Sequence, residues 1–167
     1  RHRQEQVGLG QRTHVEGHAL PGQGRLVGVA LVANRQQGPL RIVAMLRPEA
    51  RRGKHILLPA LEMRWKHAQE IATRVEIQIF GAHGLEEGEV SFPCHHNGAL
   101  SRDGVAKLLS SAHVVVDPSL YQGFGLVGIE GMASGALCVL TRSGGAEEYA
   151  EDGVNALLVP PGDVEAL

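Results

Sequence analysis

From residue 40 onward, short apolar runs alternate with longer segments in which apolar residues recur every three or four positions. The short runs are typical of buried parallel strands, and the longer segments are typical of helices that cover a sheet. The alternation therefore predicts an α/β fold, with a Rossmann-like parallel sheet flanked by helices. The predicted strands are 41–46, 74–81, 113–119, 136–141 and 155–160, with a weak strand near 90–92.

Three helices are predicted between these strands. The first covers 55–72, with Pro59 near its first turn, where a missing N–H is tolerated. The second covers 101–112 and is capped by Ser101. The third follows a glycine turn, carries apolar residues at helical spacing from Leu126, and stops at Gly135.

Residues 1–38 show no sustained period and are assigned only as an N-terminal segment or linker, while 39–167 form the predicted domain. The apolar run at 26–33 is compatible with a strand or with a linker. The Gly-x-Gly pairs at 8–10 and 22–24 favour flexible loop over a phosphate turn, because neither lies between a clear strand and a helix.

Composition narrows the class of protein. The 167 residues suffice for one domain with a sizeable core, and 16 Lys and Arg against 18 Asp and Glu give no argument for nucleic acid. Apolar runs are shorter than the ~20 residues of a membrane span, and no signal-peptide pattern opens the chain. With two cysteines, Cys94 and Cys138, expected as reduced thiols, we predict a cytoplasmic protein.

The glycine turn at 123–125 is the strongest candidate for a binding site. Gly123 and Gly125 flank Phe124, so the backbone can approach a ligand closely and present amide N–H groups to it. The helix that follows aims its positive end at the same place. Glu130 lies on this short apolar helix, where an unpaired carboxylate is costly to bury, so we expect it to face a partner. The pattern indicates a phosphorylated, hydroxyl-rich ligand.

A basic cluster follows the first strand and comprises Arg47, Arg51, Arg52, Gly53 and Lys54. Arginine matches phosphate oxygens in pairs, so a cluster beyond a strand end is suited to a diphosphate. The alternative is a solvated basic loop at the start of a helix. The neighbouring glycine turn favours the diphosphate interpretation.

Gln122, Gly-Phe-Gly at 123–125 and Glu130 resemble the donor-binding, C-terminal domain of the retaining GT-B glycosyltransferases of the group 1 type. The signature of that family is Glu, Gly-Phe-Gly and a second Glu eight positions after the first. The resemblance continues through MASGALCVL and GGAEEYAEDGVNALLVPPGD, and is most specific over 117–163. Gln122 stands where most members have glutamate, and some relatives that transfer rhamnose or build bacterial polysaccharides are similar in carrying glutamine there.

The resemblance implies one half of a GT-B fold that binds a nucleoside-diphosphate sugar without a cofactor or an obligatory metal. It implies a hexosyl- or rhamnosyl-type transferase in polysaccharide or glycoconjugate synthesis. Arg47, Arg52 and Gln122 would act in catalysis. The donor-binding residues it implies are Gly123, Phe124, Gly125, Leu126, Glu130, Gly144, Gly145 and Glu148.

The resemblance also implies that the chain is a fragment. A preceding acceptor-binding domain is not recognisable, and the chain stops at 162–167, where a helix should begin. The fragment is therefore expected to be inactive alone. Any peripheral membrane contact would run through the missing domain.

Several residues leave alternatives open. Glu148 matches the Gly-Gly-x-x-Glu turn of the family, but equally suits the first turn of a helix. Cys94, His95 and His96 favour a surface loop over a metal site, because neighbouring residues in extended chain point in opposite directions. His113 is interpreted as structural, and Phe124 as a packing residue whose backbone amide is functional.

Two other classes of function compete with the transferase. A dinucleotide-dependent oxidoreductase needs Gly-x-Gly-x-x-Gly after its first strand, whereas RPEARRGK follows here, which disfavours that class. A non-catalytic or degenerate nucleotide-binding module that docks to a partner is the second alternative. Donor titration separates a module that only docks to a partner, which would give no heat with any nucleoside diphosphate, from the nucleotide-binding transferase.

Overall fold

A computed structural model describes residues 38–167, so the predicted N-terminal segment and its Gly-x-Gly pairs lie outside the described residues. Six strands and three helices of α type make up this part of the chain, joined by short 3-10 helices. The strands are β1 (Leu40–Met45), β2 (Val75–Phe80), β3 (Cys94–His96), β4 (Val114–Asp117), β5 (Leu137–Thr141) and β6 (Leu157–Val159). The helices are α1 (Lys54–His67), α2 (Arg102–Ser111) and α3 (Leu126–Ala133).

The strands form one sheet in the order β3-β2-β1-β4-β5-β6, and every neighbouring pair is parallel. The chain first moves outward from β1 to β3 and then returns to the other side of β1 with β4. Strand order therefore reverses between β1 and β4, which is where ligands bind in open sheets of this kind. The predicted Rossmann-like sheet is confirmed.

Two apolar clusters cover the two faces of the sheet. Val43 and Val115 point into one cluster, which α2 and α3 cover, while Ala44 and Val116 point into the other. Leu57 and its neighbours on α1 fill the second cluster. Successive strand residues alternate between the faces, so a strand of consecutive valines serves both.

The predicted weak strand near 90–92 is wrong, and the third strand lies at Cys94–His96 instead. The backbone amide and the hydroxyl of Ser91 both donate to the carboxylate of Glu62 on α1, which holds this segment against the helix. Phe92 is buried in the core, and pairing with β2 begins only where Cys94 lies opposite Ile77.

The first helix is shorter than predicted. It ends at His67, and a 3-10 helix follows over Gln69–Arg74. The side-chain amide of Gln69 donates to the carbonyl of Trp65 at 2.7 Å, which gives that terminal carbonyl a side-chain partner. Pro59 is the sixth residue of the helix, beyond the first turn, and lies on its exposed side.

The second and third helices follow the prediction closely. The Ser101 hydroxyl accepts from the amide of Gly104 at 3.2 Å, as expected for an N-cap. Helix α3 begins after Gly125, and Gly135 follows its end with a φ of 75°. Among residues 38–167, no helix has the length and apolar character needed to cross a membrane.

Candidate functional site

The candidate site lies where β1 and β4 end side by side. Ala44 pairs with Val116, so the segment after Met45 and the Asp117 side chain emerge at the same edge of the sheet. The chain after β1 forms a loop with the 3-10 helix Ala50–Arg52, and the chain after β4 leads into the glycine turn. The fold therefore brings together two segments that the sequence separates by about 70 residues.

The loop after β1 rests directly on the segment after β4. The carbonyl of Arg51 accepts from the amide of Leu120 at 2.8 Å. Gly53 has a φ of 73°, and a Cβ at this position would lie 2.1 Å from the carbonyl oxygen of Pro118. Only glycine combines this conformation with such a close approach.

Two of the predicted arginines face the same small cavity of about 20 Å³. Arg47 and Arg52 line it together with Asp117 and Ser119, and Val127 on the first turn of α3 completes the wall. The Arg52 Nε atom is buried and has no hydrogen-bond partner within residues 38–167. A buried guanidinium nitrogen without a partner is costly, which makes Arg52 a candidate hydrogen-bond donor to a bound ligand.

The glycine turn packs against the loop after β5. Gly144 and Gly145 begin a 3-10 helix, and a Cβ on either would lie 2.1–2.2 Å from the carbonyl oxygen of Gln122 or Gly123. Gly125, with a φ of 84°, is the N-cap of α3. The glycine turn at 123–125 and the glycine pair 144–145 therefore lie side by side in the structure.

A buried polar cluster lies where β4 and β5 end. The amide and hydroxyl of Ser119 donate to the Asp117 carboxylate at 3.1 and 2.5 Å. The carbonyl of Ser119 in turn accepts from the hydroxyls of Thr141 and Ser143. These contacts join the carboxyl ends of β4 and β5.

Burial and the Asp117 carboxylate together shift the pKa values of one half-buried group, Tyr149, and one buried group, Cys138. Burial first, and Asp117 second, raises the pKa of the Tyr149 hydroxyl to about 12. The same two causes raise the pKa of the Cys138 thiol to about 12. Both groups therefore stay protonated at neutral pH. The Tyr149 hydroxyl donates to the carbonyl of Gly125 at 2.7 Å.

The predicted side chains of the turn differ in exposure. Gln122 is 1% exposed, and both polar atoms of its amide lack partners within the described chain. Glu130 is exposed, consistent with the prediction that it does not fill the core, and lies one turn after Val127 on α3. Phe124 is 49% exposed, and its ring centroid lies 5.5 Å from that of Tyr149.

The structure places the other residues for which the sequence left alternatives open. Glu148 is the last residue of the 3-10 helix Gly144–Glu148, so its interpretation as a first-turn carboxylate is wrong. Cys94, His95 and His96 form the edge strand β3 rather than a loop. Within residues 38–167, no three His, Cys, Asp or Glu side chains are arranged to hold a metal ion. His113 is buried, and its Nδ1 accepts from the amide of Arg41 at 3.0 Å, which fits a structural role.

A larger cleft of about 370 Å³ adjoins Arg47. Met45 and Arg47 line both spaces, so the cleft and the small cavity meet at the end of β1. The opposite wall comes from Gly81–His83 after β2 and from Ala99, Leu100 and Val105 around the start of α2. Its volume lies within the usual range of small-molecule sites.

Sequence reasoning missed Asp117, Tyr149 and His83 as residues of this region. Asp117 carries a usable signal, because it is an acidic residue directly after three valines of a buried strand. His83 lies between Gly81 and Gly84 just after β2, which is a similar signal. The contact of Tyr149 with Gly125 crosses 24 residues and leaves no local signature.

The profile of the family described as glycosyl transferases group 1 matches residues 40–167. The match covers the whole sheet and every residue of the candidate site. The chain belongs to this family. The GT-B resemblance is thereby confirmed at the level of the family and of its C-terminal domain.

The curated relatives share limited stretches with this glycosyltransferase chain. The MMP α-(1→4)-mannosyltransferase of Mycolicibacterium hassiacum is 46% identical over 84 residues, which are 50% of this chain and 20% of that protein. The sucrose synthase of Acidithiobacillus caldus is 47% identical over 53 residues, 32% of this chain and 7% of its own length. The chain thus spans a small part of the relatives it matches.

Solved structures show the same fold. A UDP-forming α,α-trehalose-phosphate synthase from Burkholderia xenovorans superimposes with a TM-score of 0.67 at 19% identity, over 86% of this chain and 40% of that one. HepE from Anabaena, solved in complex with UDP and glucose, superimposes with a TM-score of 0.60 at 23% identity, over 89% of this chain and 41% of that one. The six-stranded sheet is therefore that of a GT-B Rossmann-like domain.

Proposed function

We propose that this chain is the donor-binding domain of a glycosyltransferase that transfers a sugar from a nucleoside-diphosphate sugar to an acceptor. The observation that carries the proposal is the meeting of Arg47, Arg52 and the first turn of α3 around one cavity at the reversal of strand order. Two cations and a helix N-terminus together suit a diphosphate. The solved complex of HepE with UDP and glucose supports this class of ligand.

The proposed roles of Arg47 and Arg52 follow from the cavity that they line, and those of the turn residues follow from the family resemblance. Arg47 and Arg52 pair with the diphosphate oxygens, and the buried Nε of Arg52 gains an acceptor on binding. The amides of 123–126 contact phosphate and sugar, with Gly144, Gly145 and Glu148 lining the same side. The 370 Å³ cleft beyond Arg47 takes the nucleobase.

The finer chemistry is also part of the proposal. Departure of the diphosphate leaves charge that Arg47, Arg52 and the start of α3 stabilise without rearrangement, because these groups are already in place. We propose that configuration at the sugar is retained, as the resemblance implies. Gln122 serves as a neutral hydrogen-bonding group whose unpaired amide atoms gain partners when sugar and ordered water enter. We propose that the sugar is of the hexosyl or rhamnosyl type and that the acceptor belongs to polysaccharide or glycoconjugate synthesis, as the resemblance implies.

The residues of a second domain complete the proposed enzyme. The chain spans about two fifths of the solved transferases it superimposes on. Alignment of an acceptor with the sugar can supply ~7–11 kcal/mol of the barrier reduction, so the part that holds the acceptor matters greatly to rate. We therefore propose that residues 1–167 alone bind donor but transfer sugar slowly.

A titration panel tests the proposed function. UDP, GDP, ADP and dTDP are each added to the 167-residue chain, followed by calorimetry and thermal unfolding. At a hundred times the dissociation constant, a bound nucleoside diphosphate stabilises the fold by ~2.7 kcal/mol. Saturable binding of at least one member is expected. The absence of heat and stabilisation with all four would favour the docking-module alternative.

Replacing Glu130 with alanine is expected to weaken nucleoside diphosphate binding by roughly ten- to a hundredfold. Hydrogen bonds to a charged acceptor contribute ~1.5–3 kcal/mol, and the proposed partners are the ribose hydroxyls. Calorimetry with the tightest member of the panel measures the loss, and Glu130→Gln should keep part of the affinity.

Glu70 offers a matched control for that measurement. It is an exposed glutamate in the 3-10 helix before β2, at the amino-terminal edge of the sheet, away from the candidate site. Glu70→Ala should bind as the unmodified chain does. Equal affinities for Glu130→Ala and Glu70→Ala would contradict the ribose assignment.

A further inference from the structure

Tyr149 connects the loop after β5 to the glycine turn through its hydroxyl. The residue lies just after the 3-10 helix Gly144–Glu148, and its hydroxyl donates to the carbonyl of Gly125 at 2.7 Å. A Cβ at Gly125 would lie 2.7 Å from that hydroxyl oxygen, and one at Gly128 would lie 2.5 Å from it. Because these two glycines have no Cβ, the Tyr149 hydroxyl fits in the space beside them.

The position of the Gly125 carbonyl has a consequence for the next amide. A peptide unit is planar and trans, so its C=O and its N–H point in opposite directions. When Tyr149 holds the Gly125 carbonyl, the Leu126 N–H is directed away from Tyr149. Leu126 is the first residue of α3, and amides at that position have no intrahelical partner.

Gly125 itself does not fix this orientation. Its φ of 84° lies in the left-handed region, and glycine adopts that region and the ordinary one with similar ease. The amides of Gly128 and Ile129 also donate to the Gly125 carbonyl, at 3.1 and 3.4 Å, but they belong to the helix that has to be oriented. The Tyr149 hydroxyl, in contrast, contacts the Gly125 carbonyl from a segment outside α3.

We propose that Tyr149 is a positioning residue that fixes the Gly125–Leu126 peptide, so that the Leu126 N–H faces the diphosphate of the donor. The inference rests on the proposed function, since it names a residue that acts on the same site through the backbone. Because its pKa is raised to about 12, the Tyr149 hydroxyl is protonated and remains a hydrogen-bond donor around neutral pH. Phe124, whose ring lies at 52° to that of Tyr149, supports the tyrosine from the side.

Tyr149→Phe tests the proposal by removing one oxygen atom while keeping the ring. The affinity of the 167-residue chain for inorganic pyrophosphate, and for the tightest nucleoside diphosphate of the panel, is expected to fall by about three- to tenfold. That loss corresponds to one neutral hydrogen bond. Affinity for the matching bare nucleoside should not change. A merely structural role would weaken nucleoside and diphosphate alike.

Tyr121→Phe is the matched control. Tyr121 is 65% exposed and precedes the turn, so loss of its hydroxyl should leave pyrophosphate affinity unchanged. Equal pyrophosphate affinities for the two variants would overturn the role of Tyr149 and leave the proposed function standing. Failure of the unmodified chain to bind pyrophosphate and every nucleoside diphosphate would overturn both.

A second measurement needs no substitution. In the unmodified chain, pyrophosphate should move the Leu126 amide proton resonance strongly downfield and slow exchange of that proton with solvent. Pyrophosphate binding without any response at Leu126 would contradict the proposed direction of this N–H, even if Tyr149→Phe does not fold.

Discussion

The double variant Arg47→Ala, Arg52→Ala is expected to lose affinity for nucleoside diphosphates by at least about a hundredfold. Each arginine contributes charge-assisted hydrogen bonds of ~1.5–3 kcal/mol, and both line one cavity. Affinity for the bare nucleoside should hardly change, because it carries no charge for them to pair with. Calorimetry with both ligands, at fixed salt concentration, measures the difference.

Arg51→Ala provides the control. Arg51 belongs to the same 3-10 helix as Arg52 and its side chain is exposed, but it does not line the cavity. Its contact with Leu120 uses the backbone carbonyl, which the substitution leaves intact. Diphosphate affinity should therefore change by less than about threefold, as expected for an exposed charge in salt. Equal losses of nucleoside and diphosphate in the double variant would show that Arg47 and Arg52 shape the fold instead.

The parts of the site that the sequence predicted are those with local signals. Gly123 and Gly125 lie two residues apart just before an apolar segment of helical spacing, and the structure places the N-cap of α3 at Gly125. The strands β1 (LRIVAM) and β4 (VVVD) consist mostly of apolar residues, which favour burial in a parallel sheet. Local propensity and tertiary structure agree here, so prediction succeeds.

Prediction failed where a contact distant in sequence decides the structure. Cys94–His96 is short and polar for a strand, and only pairing with β2 makes it one. The apolar residues Val90 and Phe92 alternate as in a strand. Ser91, which lies between them in the sequence, instead donates a hydrogen bond to Glu62 on α1. The 3-10 helix that ends at Glu148 follows from the close approach of Gly145 to Gly123, which no local pattern reveals.

The same distinction applies to the buried polar groups. Ser119, Thr141 and Ser143 are ordinary loop or strand residues in the sequence, yet together with Asp117 they form one hydrogen-bonded cluster at the carboxyl ends of β4 and β5. Their partners become known only when β4 and β5 are adjacent. The glycine turn and the start of α3 could therefore be predicted from spacing, while the buried polar residues that join β4 to β5 could not.

Gly53→Ala is expected to lower the free energy of unfolding by about 2–5 kcal/mol. A left-handed conformation costs a non-glycine residue ~1–2 kcal/mol, and Gly53 has a φ of 73°. The new Cβ would also lie 2.1 Å from the Pro118 carbonyl oxygen, which is backbone and cannot rotate away. Overpacking of this kind adds ~1–3 kcal/mol. Urea unfolding of the variant measures the sum.

Gly88→Ala separates the two contributions. Gly88 has a φ of 76°, close to that of Gly53, but no atom lies within 4 Å of the Cβ position. It should therefore lose only the ~1–2 kcal/mol of backbone strain. The additional loss of unfolding free energy in Gly53→Ala measures how closely the loop after β1 packs against the segment after β4. Because Arg52 directly precedes Gly53, Gly53→Ala should also weaken diphosphate binding. Equal free energies of unfolding for Gly53→Ala and Gly88→Ala would contradict the overpacking, because they would mean that the loop after β1 moves away from Pro118 at no cost.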